Sequence, residues 1–274
     1  MKTTAIKVIL IYLFLLILIS IILTPFLWLT SMSFKLRSEM FSYPPTFIPK
    51  KFTLLNYINT IKDILFVKSY RNSLIISLSD VLFGLIVCSL AGFAFAKYDF
   101  RFKSIFFSIV LVSMMIPFHV VVIPLYLEMK RFGLIDTYFG VIFPFLAKAF
   151  GVFFMRQFLV KIPDELLEAA RIDGASEYFI WLRIIVPLSK PAFGVLACLF
   201  FVENWNMLLW PMIVLQSQTK QTIQVYLQSL IGVYRIDYGI LMAGSCLAIL
   251  PIFVLFLAMQ KQIIYGLTAG AVKE

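Results

Sequence analysis

Residues 162–187 read IPDELLEAARIDGASEYFIWLRIIVP, and they form the centre of the one sizeable polar island in an otherwise oily chain. Pro163 suits a first helical position, and Asp164 and Glu165 complement the positive end of a helix dipole. Leu166, Leu167 and Ala170 are predicted to share a face. Gly174 can end the helix with positive φ, and Ser176 can cap a second helix, Glu177 to Ile185. Phe179, Ile180 and Trp181 of that second helix are available to grip a membrane surface, and Pro187 closes the unit. The expectation is a helix, a glycine turn and a helix at an interface. Its Glu168-Ala169-Ala170 step is a small, polar-edged protrusion of the kind that enters a groove on another protein. An ordinary amphipathic interfacial helix has the same pattern.

Outward from this island the chain turns apolar on both sides. A membrane span needs about 20 mostly apolar residues, and six runs meet that length. Val8 to Phe34 and Tyr238 to Gln260 carry no charge. Ser104 to Leu127 carries none but holds His119. Asn72 to Ala96 contains only Asp80, Thr137 to Met155 only Lys148, and Pro191 to Thr219 only Glu203. Six crossings put both chain ends on one side. The first run resembles a signal peptide in its flanking Lys2 and Lys7, but its apolar core is too long for one, so it is expected to be retained.

Composition agrees. Of 274 residues 62% are hydrophobic and 14% charged, and the mean hydropathy is +0.97. Soluble domains carry about a quarter charged residues, so a cytosolic enzyme, a nucleic-acid-binding module and a disordered chain are excluded. The net charge of +10 is ordinary for a protein whose spans are flanked by Lys and Arg. Cys88, Cys198 and Cys246 lie inside apolar runs and His119 is the single histidine, so neither a disulfide framework nor a metal cluster is indicated. No phosphate-cradling G-x-x-x-x-G-K-[ST] loop is present, so the chain does not hydrolyse ATP with its own residues.

The connections differ in kind. Residues 35–71 form the longest loop, with Pro44, Pro45 and Pro49. Residues 97–103 (KYDFRFK) form a short basic turn, and residues 156–190 carry ten charges in 35 residues. With the N-terminus inside, the inner segments hold twelve cations and the outer loops eleven, so the positive-inside rule is nearly silent. Pro25, Pro117, Pro124, Pro144, Pro211 and Pro251 fall within the apolar runs. Pro117 and Pro124 in one run predict a bent helix beside a cavity, because each proline frees a carbonyl that lipid cannot satisfy.

Glu168-Ala169-Ala170, then three residues, Gly174, nine residues, Ile184, one residue and Val186-Pro187 resemble the coupling motif of ABC importer permeases, with Val186 standing where that motif has Leu. Arg156-Gln157-Phe158, Asn204-Trp205-Asn206, Leu209-Trp210-Pro211 and the ending Gly266-Leu267-Thr268-Ala269-Gly270-Ala271-Val272-Lys273 resemble the maltose-type carbohydrate permeases, and among them the shorter subunit of the permease pair. The resemblance implies an all-α membrane protein, with six transmembrane helices of the type I ABC importer permease fold. Residues 1–71 would be the first span and an external loop, 72–265 the permease core with a cytoplasmic coupling segment at 156–190, and 266–274 a cytoplasmic tail.

It also implies a heterodimer with a second permease subunit, two copies of a cytoplasmic ATPase carrying ATP and Mg, and an external sugar-binding protein, in the cell membrane of a bacterium with both termini cytoplasmic. No cofactor and no metal would be bound by this chain itself, and no nucleic acid. The coupling role would fall to Glu168, Ala169, Ala170, Asp173, Gly174, Ile184 and Pro187, with Glu168 paired to a basic group on the ATPase. Closure of the ATPase pair would drag residues 164–175 and the spans attached to them. A carboxylate inside a span is costly unless paired or facing water, so Glu203, followed by Asn204, Trp205 and Asn206, is the candidate substrate path. Pairing with neighbouring helices or with the partner subunit accounts for these four residues equally well. One interhelical pair among Asp80, His119 and Lys148 would account for those. The alternative within the family is a glycerol-phosphate importer using Lys148. An ion-coupled secondary transporter would need paired intramembrane carboxylates on two repeats, and no repeat is visible.

Overall fold

The computed structural model describes residues 2–232 and 237–268, with side chains over 7–232 and 237–260. Its helices, in chain order, are α1 (Lys2–Ser33), α2 (Arg37–Met40), α3 (Leu55–Lys62), α4 (Ile64–Lys97), α5 (Lys103–Ser113), α6 (Phe118–Arg131), α7 (Tyr138–Ile142), α8 (Ala149–Leu159), α9 (Glu165–Ile172), α10 (Glu177–Ile180), α11 (Val186–Leu188), α12 (Lys190–Trp205), α13 (Leu209–Val214), α14 (Ile223–Ser229) and α15 (Tyr238–Thr268). Of the predicted ending, residues 269–273 lie outside the described residues.

Among the described residues, three unbroken helices are long and apolar enough to cross a membrane: Lys7–Ser33, Ile64–Lys97 and Tyr238–Gln260. Three bent pairs bring the number up to six if each pair is one span: Lys103–Ser113 with Phe118–Arg131 at 104°, Tyr138–Phe145 with Ala149–Leu159 at 46°, and Glu177–Leu188 with Lys190–Trp205 at 82°. The bend predicted from Pro117 and Pro124 falls at Met114–Pro117. Pro117 disfavours helical backbone at Ile116, so α5 stops at Ser113 and α6 starts afresh after Pro117.

Two expected spans are corrected. The run Asn72 to Ala96 begins earlier, because α4 extends back to Ile64 and includes Lys68 and Arg71. The run Pro191 to Thr219 is not one helix. α12 ends at Trp205, where the Asn206 amide closes on Val202 and the chain breaks before α13. Pro211 sits within the first turn of α13, where its missing N–H costs nothing.

The chain divides into two compact units, residues 1–67 with 227–250 and residues 68–226 with 251–274. In the first, the loop after α1 folds on itself. Glu39 accepts from the Lys50 amide at 2.7 Å and from Thr46 at 3.2 Å, and Asn56 donates to the Ser33 and Lys35 carbonyls at 2.9 and 2.8 Å. Among the described residues of the second unit, two cores lie along α4. One gathers Cys88, Phe93, Val152, Met155, Leu159, Leu167, Ile180, Trp181, Ile185, Leu196 and Phe200. The other gathers Ile76, Met129, Val141, Ile142, Trp210, Val214 and Leu215. Gly92 allows α4 and α8 to touch, since a Cβ there would stand 2.6 Å from Met155 Cβ and 3.0 Å from the Arg156 nitrogen.

Candidate coupling helix and transmembrane groove

The polar island folds as a helix, a glycine turn and a helix. Pro163 lies two residues before the first helical residue, Glu165, rather than at the first position, and Asp164 is the N-cap. At the other end Gly174 takes φ +82°. Its amide bonds to the Arg171 carbonyl and the Ala175 amide to the Ala170 carbonyl, both at 3.0 Å, which is the paired bonding of a Schellman termination. Ser176 Oγ accepts from the Phe179 amide at 3.3 Å and starts α10. Trp181–Ile185 then widens to a π-helical turn, in which the Val186 amide reaches back to Trp181.

Burial sorts the motif residues. Leu167 is the anchor of α9 in the core, whereas Leu166, Glu168, Ala169 and Asp173 are exposed and Ile172 is 86% exposed. Leu166 therefore does not share the buried face with Leu167. Ile180 and Trp181 are core residues too, and Trp181 Nε1 donates to Ser89 Oγ at 3.2 Å. Of the three residues expected to grip the membrane surface, only Phe179 is exposed. Ile184 is half-buried and Pro187 exposed.

Two neighbours in sequence, Lys97 and Tyr98, tie this segment to the end of α4. The Lys97 side chain, 3% exposed, donates to the Ile162 carbonyl and to Asp164 Oδ1, the latter at 2.6 Å. The Tyr98 hydroxyl donates to Glu177, which Arg171 also grips at 2.8 and 3.3 Å. The sequence reading missed both, taking KYDFRFK as a basic turn alone. The positive charge beside the acidic start of α9 was the available signal.

Toward the opposite end of these helices lies an open groove of about 680 Å³, lined among others by Met114, Phe118, Phe145, Lys148, Phe200 and Glu203. Lys148 Nζ stands 3.0 Å from Glu203 and 3.3 Å from Asp80, so the interhelical pair foreseen for Asp80 and Lys148 is present, with Glu203 added. His119 is exposed on α6, apart from it. Asp80 is wholly buried, and the Lys148 contact lacks hydrogen-bond geometry, so neither Asp80 oxygen accepts a hydrogen bond. Phe200 and Phe145 face the ammonium at 5.0 and 5.9 Å. Of the four residues expected on the substrate path, Glu203 alone lines the groove. Asn204 is buried beside Ser77 at 3.2 Å. Trp205 is buried against Phe201 and Tyr70, so its indole offers no open stacking face. Asn206 is exposed at the end of α12.

Residues 84–265 match the family of the binding-protein-dependent transport system inner membrane component. The chain belongs to that family. This permease is 42% identical over 209 residues to the arabinooligosaccharides transport system permease protein AraQ of Bacillus subtilis, covering 76% of the permease and 74% of the relative. It is 34% identical to the lactose transport system permease protein LacG of Rhizobium radiobacter, covering 91% and 90%. The structure is similar to a chain of a bacterial ABC transporter involved in the import of the acidic polysaccharide alginate, with a TM-score of 0.86, 26% identity and coverage of 95% and 98%. The permease is thus an all-α membrane protein with the type I ABC importer fold. Its family is one of transport, and its place is in a membrane-bound transporter complex.

Proposed function

We propose that this permease carries a neutral saccharide or oligosaccharide into the cell, driven by a separate ATPase docked on α9. The observation that supports this best is the uncovered face of α9. Leu167 is buried in the core with Ala170 packed against it, while Leu166, Glu168, Ala169 and Ile172 project outward. Small side chains flanked by one carboxylate and two aliphatics suit a cleft with an apolar floor and a basic rim. On this reading α9, both chain termini and the 97–103 turn face the cytoplasm. Two ATPase copies hold ATP and Mg, a second permease subunit completes the path, and an external binding protein delivers the sugar.

The groove supports a neutral substrate over glycerol phosphate. An anion would need Lys148, but that ammonium is already shared by two carboxylates. The trio carries a formal charge of −1, and Glu203 is free on its groove side to accept from sugar hydroxyls. Glu168→Lys tests the coupling reading. In proteoliposomes with the ATPase, the partner permease and the binding protein, sugar uptake should fall to background while the variant still inserts. Removing a partner from a buried ion pair costs about 3–5 kcal/mol, and the reversed charge adds repulsion. Uptake at the wild-type rate would overturn the reading.

A further inference from the structure

The two spans joined covalently to α9 are α8 and α12, yet its strongest polar ties run to neither. They run to α4. Lys97 holds the N-terminal end through Asp164 and the Ile162 carbonyl. Tyr98 holds the C-terminal end through Glu177, which Arg171 of α9 grips with two nitrogens. The Arg171 guanidinium also lies 5.7 Å from the Tyr98 ring, and the Tyr98 ring stands edge-on to Phe93 at 5.3 Å. Eight residues back along α4, Ser89 receives the Trp181 indole N–H. Exposed ion pairs contribute little. The Lys97 side chain is only 3% exposed, however, although Asp164 is 70% exposed, and a desolvated cation that loses its partner is left uncompensated at a large cost.

We propose that Lys97 and Tyr98 form a two-point clamp that makes α4 the element receiving the stroke of the coupling helix. This rests on the reading of α9 as the ATPase-docking helix. A helix advances about 1.5 Å per residue, so the seventeen residues from Asp80 to Lys97 span about 26 Å. Asp80 is the wholly buried carboxylate beside Lys148 at the groove. Movement of α9 is therefore passed along a continuous helix to the Asp80 carboxylate and through it to Lys148, which lines the groove with Glu203, without bending the peptide links to α8 or α12. Lys97 and Tyr98 are positioning residues: they touch neither nucleotide nor sugar.

The test uses the complete reconstituted transporter with its binding protein, reading ATP hydrolysis and sugar uptake on the same vesicles. The double variant Lys97→Met/Tyr98→Phe keeps side-chain bulk and removes both ties. The expected result is hydrolysis near the wild-type rate with about a tenfold loss in sugar moved per ATP, within the usual range of coupling between sites. Lys97→Arg alone should keep most of the wild-type ratio. An unchanged ratio in the double variant, or equal losses of hydrolysis and uptake, would overturn the clamp. Glu168→Lys run alongside separates the two claims. If it leaves uptake untouched, the docking reading fails. If it abolishes uptake while the double variant keeps its ratio, only the clamp fails. Should the double variant not assemble, spin labels at Tyr178 and Leu90 of an otherwise intact transporter decide the matter. Their separation should hold within about 2 Å between nucleotide-free and ATP-bound states, the size of an ordinary helix shift. A larger change would show α4 left behind.

Discussion

Asp136 shows how a single side chain can fasten two loops. It sits at φ 57°, accepts from the Ser217 amide at 3.0 Å and hydroxyl at 2.6 Å, and pairs with Lys220 at 2.9 Å. Burial pushes its carboxyl up from the ordinary 3.8, but the Ser217 donations and Lys220 outweigh it and hold the value at about 2. A carboxylate with a depressed folded pKa stabilises the fold fully above its unfolded pKa, and the stabilisation is lost as pH falls through the folded one. Melting of the detergent-solubilised protein should therefore show an acid-side loss between pH about 4 and about 2 that Asp136→Ala lacks. At neutral pH that variant should be about 1.5–3 kcal/mol less stable, the usual worth of a hydrogen bond to a charged group. Equal acid profiles in the two proteins would refute the role.

At the scale of the element, the α9 turn depends on one backbone conformation. Nothing lies within 4 Å of where a Gly174 Cβ would be, so Gly174→Ala is penalised by φ alone, by about 1–2 kcal/mol. Gly174→Asn should cost less, because Asn tolerates this region. Melting temperatures of the two variants check the order, and Asn at or below Ala would show that something other than φ governs the site. This turn was legible in the sequence because glycine, a following Ser176 and the acidic first turn are local signals. The direction of the second helix was not. Phe179, Ile180 and Trp181 are all apolar, and which of them faces core or lipid is decided by α4, which presents Ser89 to the Trp181 indole. The extent of the fifth span was likewise hidden, since hydropathy runs on through Met207 and Leu208 while the backbone breaks. In the groove, Glu203 was legible as an anomalous charge. The burial of Trp205 was not, because only the packing of Phe201 and Tyr70 around it settles which way the indole turns.

For the molecule as a whole, sidedness is the quantity charge counting left open and the proposed docking of α9 predicts. A cysteine placed at Ile172 is well suited to test it. The native thiols are buried at Cys88 and partly buried at Cys198 and Cys246, so background modification is low. In intact cells lacking the ATPase subunit a membrane-impermeant maleimide should leave the new thiol unmodified, and permeabilised cells of the same strain should label it. Labelling from outside at the same rate would invert the topology and remove the ATPase from contact with α9. The separation of the two functional regions along shared helices has an evolutionary corollary. If the groove carries the substrate, as proposed, substitutions at its lining residues Phe150 and Leu199 would alter what is admitted while leaving Lys97 and Asp164 in place. A lineage can thus retune its diet one side chain at a time while the motor fitting stays standardised.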